Sequence, residues 1–230
     1  MDQRSVYESH ADLYDRLVTA EDCEGRLPAA LAELASFEGA RVAEVGAGTG
    51  RMARIALGLG ARSVTLVEPA PAMLAVARER LRERPADFVE APASAMPLPD
   101  GSFDIATAGW VFGHLRHWFQ DDWRERIHAA LAEIRRVVRP GGTLLLLETM
   151  GTFTPTASPP NPELAEYYGW IERDGGFGAP RVIRTDYRFE SVAEAGEVLS
   201  GFFGEPMGER VRRAGQTRVE ESTAIWRVRR

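Results

Sequence analysis

VAEVGAGTG, Val42 to Gly50, is an apolar run that opens into three glycines within five residues. Arg41 to Val45 reads as a buried strand, and a turn without side chains at the C-terminal edge of a parallel sheet presents its amides to a ligand. The spacing is G-x-G-x-G. A dinucleotide fingerprint requires G-x-G-x-x-G, and Arg51 stands at its last position; the Gly-Lys-Ser/Thr ending of a phosphate-binding loop is also absent. Further on, the strand Ser63 to Val67 ends in Glu68, a carboxylate able to accept from the two vicinal hydroxyls of a ribose. Turn and acid together point to adenosine, whereas the turn alone also fits a tight turn that holds nothing.

Working outward, the spacing predicts N-terminal helices over Val6 to Val18 and around Leu27, Leu31 and Leu34. Residues 1–38 are expected to form a helical cover. A helix from Met52 to Leu59 follows the turn, and another runs from Pro71 to Arg84, with proline at a first turn where its missing N–H costs little. Short strands are predicted at Asp87 to Glu90 and Phe103 to Ala108. The apolar face of Trp123, Ile127, Leu131 and Ile134 predicts a helix over Asp121 to Val138, stopped by Pro140-Gly141-Gly142. Thr143 to Glu148 is almost wholly apolar, as at the centre of a parallel sheet covered on both faces.

Beyond it, Pro162 to Arg173 reads as a helix within a substrate lid spanning residues 151–190. Arg181 to Phe189 reads as extended, Ser191 to Phe203 as a helix and Glu221 to Val228 as the last strand. Alternating strands and helices make this a single α/β domain over residues 1–230.

The 230 residues suffice for one sizeable core. A net charge of −6 argues against general affinity for nucleic acid or anionic membrane. All 28 basic residues are arginine, which removes lysine as a Schiff base or general base. The single cysteine, Cys23, excludes an intrachain disulfide and a clustered thiolate metal site. No membrane-spanning segment or secretory signal is legible, so cytoplasmic residence is expected.

From Val42 onward the chain resembles the class I S-adenosylmethionine-dependent methyltransferases, on VAEVGAGTG, VTLVEPAPAML, SFDIATAGWVFGHL and IRRVVRPGGTLLLLET in that order. The resemblance implies a Rossmann-like seven-stranded sheet with an antiparallel last strand near Ile225, and S-adenosylmethionine as cofactor. It places Glu44, Gly46, Ala47, Gly48 and Gly50 at the methionine end of the cofactor and Glu68 on its ribose. Pro69, Ala70 and Met73 border the adenine, and Tyr14 contacts the cofactor from the cover. One departure stands out: the family has an acid two positions after Glu90, where it accepts from the adenine amino group, and this chain has Pro92. Adenine recognition then leans on Ala93, Ser94 and Met96, or on another acid.

Methyl transfer from a sulfonium needs alignment and exclusion of water, and a phenol or hydroxyl acceptor gains from a nearby base. His114, just after the fourth strand, is the expected catalytic base or orienter, since imidazole exchanges protons near neutral pH. The same ring also suits a structural bond to a backbone carbonyl. His114 and His117 lack a third ligand nearby, so no metal is expected. Tyr7, His10, Trp110, Tyr168 and Trp170 are candidate substrate contacts, each also suited to packing. Glu148 either faces the substrate or caps a loop. The expected function is transfer of a methyl group to an oxygen or nitrogen of a small metabolite, as in natural-product biosynthesis. A noncatalytic binding or scaffold protein of the same fold, or an RNA or protein methyltransferase, is the alternative. A homodimer is compatible with the sequence.

Overall fold

The computed structural model describes residues 10–230. Two helices, α1 (Ala11–Ala20) and α2 (Arg26–Leu34), precede the sheet. Strand β1 (Arg41–Val45), helix α3 (Arg51–Gly58), β2 (Ser63–Val67), α4 (Pro71–Arg80) and β3 (Ala86–Val89) form the first half. The second half runs β4 (Phe103–Gly109), α5 (Phe112–Trp118), α6 (Trp123–Val137), β5 (Val138–Thr152), α7 (Pro162–Arg173) and β6 (Arg181–Arg184). Then come β7 (Tyr187–Arg188), α8 (Val192–Phe203), α9 (Glu205–Ala214), β8 (Arg218–Val219) and β9 (Glu221–Arg229).

The main sheet has seven strands in the order β3-β2-β1-β4-β5-β9-β6. Pairs within the β3-to-β5 portion are parallel, while β9 lies antiparallel to both β5 and β6, with Ile225 opposite Leu147. Strand order reverses between β1 and β4. That switch point opens a crevice at the carboxyl ends of the strands.

Successive side chains on β5 feed opposite layers. Leu144 and Leu146 pack with Trp123, Ile127 and Ile134 of α6 and Tyr167 and Ile171 of α7, whereas Leu145 and Leu147 meet Leu27 and Leu31 of α2 and Met52 of α3. All four leucines are at most 1% exposed. Burial of each such side chain stabilises the fold by roughly 1.5–3 kcal/mol. A third cluster joins α1, α8 and α9 to the β7–β8 ribbon through Leu17, Tyr187, Val198, Leu199 and Val211.

Several element ends follow from local chemistry. Asn161 caps α7 by accepting from the Leu164 amide at 2.8 Å, and Ser191 caps α8 by accepting from Glu194 at 3.1 Å. Helix α6 ends at Val137, short of Pro140, because a proline ring would clash with the preceding turn. The Pro-Gly-Gly segment lies inside β5, where the register with β4 shifts between Phe103 and Ile105. A Cβ on Gly142 would lie 2.7 Å from the Asp104 carbonyl, so the bulge requires glycine there. Sequence periodicity did not indicate α5 or α9, and β5 extends beyond its apolar stretch at both ends.

Candidate active site

The turn after β1 is drawn against the end of β2 by hydrogen bonds from the Gly46 and Ala47 amides to the Val67 carbonyl, at 2.8 and 3.1 Å. Gly46 has φ +66°, and a Cβ there would collide with Val111 at the start of α5. Gly48 has φ +54°, with the Tyr14 ring of α1 3.2 Å from where a Cβ would stand. Left-handed backbone and close neighbours therefore both demand glycine. Glu68, 8% exposed, accepts from the Gly48 amide through Oε2 and from the Ala70 amide through Oε1, each at 2.9 Å. Burial raises its carboxyl above the ordinary range, while the two amides oppose the shift.

Two cavities open at this edge of the sheet. The first, of about 860 Å³, is bordered by Gly46, Glu68, Pro69, Ala70, Ala93 and Ser94, the expected ribose and adenine positions. The second, of about 800 Å³, is bordered by Tyr14, Glu21, Glu148, Tyr187, Phe202 and Glu221. Trp110 and His114 border both. Trp110 holds φ +56°, a costly conformation for a large side chain, with the Arg51 guanidinium 4.8 Å from its ring centroid. His114 stacks on Trp118 at 5.1 Å, and burial followed by the nearby His117 lowers its pKa to about 4.

Glu148 sits beneath this junction. Its Oε1 accepts from the Phe112 and Gly113 amides at 3.1 and 2.9 Å and from the Tyr167 hydroxyl at 3.3 Å. It thus caps the helix carrying His114 and also borders the second cavity. Burial pushes its carboxyl up to about 7. Arg51 pairs with Glu21 at 2.6 Å, and Glu221 accepts from Thr149 and Thr152 at 2.6 and 2.5 Å. Burial followed by the charge of Glu21 raises the Glu221 carboxyl.

The other expected positions fall into distinct places. Glu44 accepts from the Met52 and Ala53 amides at 3.0 and 2.8 Å, capping α3 from within rather than bordering either cavity. Ala47, Met73 and Met96 are buried behind the cavity walls, and Gly50 packs against Leu66 and Leu81. His10 is exposed at the start of α1, and Tyr7 lies outside the described residues. Tyr168 is 4% exposed, packs on Trp226 and donates to the Thr149 carbonyl at 2.7 Å. Trp170 packs edge-on against Trp123. Neither Tyr168 nor Trp170 borders either of these two cavities; from the 151–190 segment the second is bordered by the loop at Thr154, Ser158 and Pro159, by Glu163 and Leu164 of α7 and by Tyr187. Glu21 and Glu221 emerge only from the fold, because no local pattern marks them. Among the described residues, no helix is long and apolar enough to cross a membrane.

A family model described as a methyltransferase domain matches residues 43–146, the stretch holding the turn, Glu68 and the junction residues. Residues 43–146 are thus similar to a methyltransferase domain. S-adenosylmethionine is the cofactor this similarity supports, and the glycine turn, Glu68 and the first cavity fit an adenosine. The domain is 43% identical over 113 residues to the ubiquinone/menaquinone biosynthesis C-methyltransferase UbiE of Methylobacterium nodulans, covering 47% of this chain and 41% of that protein. It is 33% identical over 167 residues to a malonyl-[acyl-carrier protein] O-methyltransferase of Serratia marcescens, covering 69% and 57%. The chain spans about half the length of the curated relatives it matches. The crystal structure of the YcgJ protein from Bacillus subtilis shares the fold at TM-score 0.59 and 18% identity, over 90% of this chain and 99% of that one. The [4+2]-cyclase SpnF shares it at TM-score 0.57 and 22% identity, over 88% and 80%.

Proposed function

We propose that this chain transfers a methyl group from S-adenosylmethionine to a small neutral aromatic acceptor bearing an ionisable hydroxyl. The observation that carries the proposal is the meeting of two cavities at Trp110 and His114, one bordered by the ribose-type acid Glu68 and the other by aromatic side chains. S-adenosylmethionine supplies an activated methyl group, leaving the protein to align the acceptor and exclude water.

The second cavity favours such an acceptor. Tyr14, Trp110, Tyr187, Phe202 and Phe203 provide ring-sized apolar surface. Glu21, Glu148, Glu163 and Glu221 also border it, with no arginine in its lining, so it offers a carboxylate or phosphate acceptor no arginine partner. A phenol or enol needs no such partner and becomes nucleophilic once its proton leaves.

Two residues that border the second cavity serve the proton in this reading. His114, neutral because burial lowers its pKa, accepts a hydrogen bond from the acceptor hydroxyl and orients it. Glu148, pushed up to about 7, is poised to hold the departing proton near neutrality. The resulting phenolate is nucleophilic at oxygen and at ring carbon, so this machinery serves O- or C-methylation alike. Relatives named for both chemistries support this reading over nitrogen. Helix α1, through Tyr14, and the loop 153–161 are the parts that close over the junction.

The test is transfer of isotope-labelled methyl from S-adenosylmethionine to a panel of phenols, quinols and enols, with carboxylic acids and amines beside them. The proposal expects label on the hydroxylated aromatics. Saturable binding of S-adenosylhomocysteine with no transfer across the panel would favour a binding protein of the same fold.

A further inference from the structure

Adenine offers an exocyclic amino group, and a site that selects adenine needs an acceptor facing it. The position where the family resemblance expects an acid holds Pro92, which borders the first cavity but brings no side-chain acceptor. The Pro92 carbonyl already accepts from the Ala95 amide at 3.1 Å. Glu90 does not replace it, because it is exposed and does not border the cavity.

Two carboxylates border this cavity, Glu68 and Glu125. Glu68 is tied to the Gly48 and Ala70 amides at the ribose end. Glu125 comes from the first turn of α6 and shares the cavity-facing side of that helix with Ala129, on a cavity that Ala93 and Ser94 also border. Its basic neighbours are engaged with other groups: Arg124 pairs with Glu166 at 2.5 Å, and Arg126, which also borders this cavity, pairs with Asp122 at 2.8 Å and lies over the Phe119 ring. Among the described residues, the Glu125 carboxylate has no hydrogen-bond or ion-pair partner. An acid in the first turn also favours its helix, but that effect does not require it to border a cavity.

We propose that Glu125 is the acceptor that reads the adenine amino group, supplied by α6 in place of the acid missing at Pro92. The inference rests on the cofactor reading given under the proposed function. A carboxylate there accepts from the amino group and repels the carbonyl oxygen that hypoxanthine carries at the same position. The site therefore discriminates between the two bases through one side chain.

The experiment titrates the wild type, Glu125→Ala and Glu125→Gln with S-adenosylhomocysteine and with S-inosylhomocysteine, which carries oxygen in place of the amino group. The wild type is expected to prefer the adenosyl compound by about tenfold, as for one partly exposed charge-assisted hydrogen bond. Glu125→Ala is expected to bring the ratio within about threefold by weakening the adenosyl compound, and Glu125→Gln to retain part of the preference through its amide oxygen. Glu125 is exposed and only its first-turn charge supports α6, so melting temperatures should agree among the three proteins to within a few degrees. Saturable wild-type binding with an unchanged ratio in Glu125→Ala would overturn this proposal alone. Failure of the wild type to bind either compound would overturn the cofactor reading and this proposal with it.

Discussion

Glu68 Oε2 accepts from the Gly48 amide at 2.9 Å, which ties the turn after β1 to the acid that closes β2. Two parts of one ligand site are thereby held in register by a bond within the protein itself.

Replacing Glu68 with Ala should therefore do two things at once. It leaves the Gly48 and Ala70 amides without their partner, at a cost of about 1–3 kcal/mol each where burial is retained. It also removes the sugar acceptor. Calorimetric titration should show at least a tenfold loss of S-adenosylhomocysteine affinity, and thermal melting should show a drop of several degrees.

Glu148 and His114 separate in the pH dependence of turnover. The Glu148 carboxyl is raised to about 7, so a base role gives an ascending limb near pH 7 that Glu148→Gln abolishes. The His114 pKa, lowered to about 4, puts its titration below that range, so His114→Gln should reduce the rate while leaving the limb in place. A limb near pH 7 persisting in Glu148→Gln would contradict the assignment.

The raised carboxyls also set a sign for stability. Burial pushes Glu44 to about 8, so between its ordinary range and that value the folded chain binds more protons than the unfolded one. This contribution makes stability fall as pH rises from about 5 to 8. Glu44→Gln should flatten the fall, measured by melting temperature against pH. It should also melt lower throughout, because one amide oxygen replaces the two that accept from Met52 and Ala53.

Gly46→Ala tests the turn. The added methyl meets Val111 in a backbone conformation at φ +66°, and the loss should be about 1–3 kcal/mol by denaturant unfolding. Adding Val111→Ala should recover the steric part while leaving the backbone strain.

Much of this architecture was legible because local chemistry and fold agree. The glycines of the turn are needed for left-handed backbone and close approach, and the almost wholly apolar Thr143 to Glu148 stretch fits a strand covered on both faces. Helix α7 fell on Pro162–Arg173 because Asn161 caps it and Pro162 opens it. Its aromatic face was harder to read. Amphipathic spacing gives the buried side of a helix without telling a core from a ligand cavity, and Tyr168 and Trp170 face the core. Glu21 and Glu221 carry no shared local pattern; the C-cap of α1 and the start of β9 bring them to one cavity with Tyr187 of β7, a weak candidate in the sequence, from distant parts of the chain. Glu148 was legible only as an alternative between capping and facing the site, and its position serves both.

The central claim is that an adenosine lies against the open turn with its sugar on Glu68. A crystal structure of the protein saturated with S-adenosylhomocysteine tests it most directly. The account predicts both ribose hydroxyls within about 2.5–3.0 Å of the Glu68 carboxylate, with the base between Pro69 and Ser94. A bound nucleoside whose sugar lies away from Glu68, or an empty cleft at saturating ligand, would contradict it.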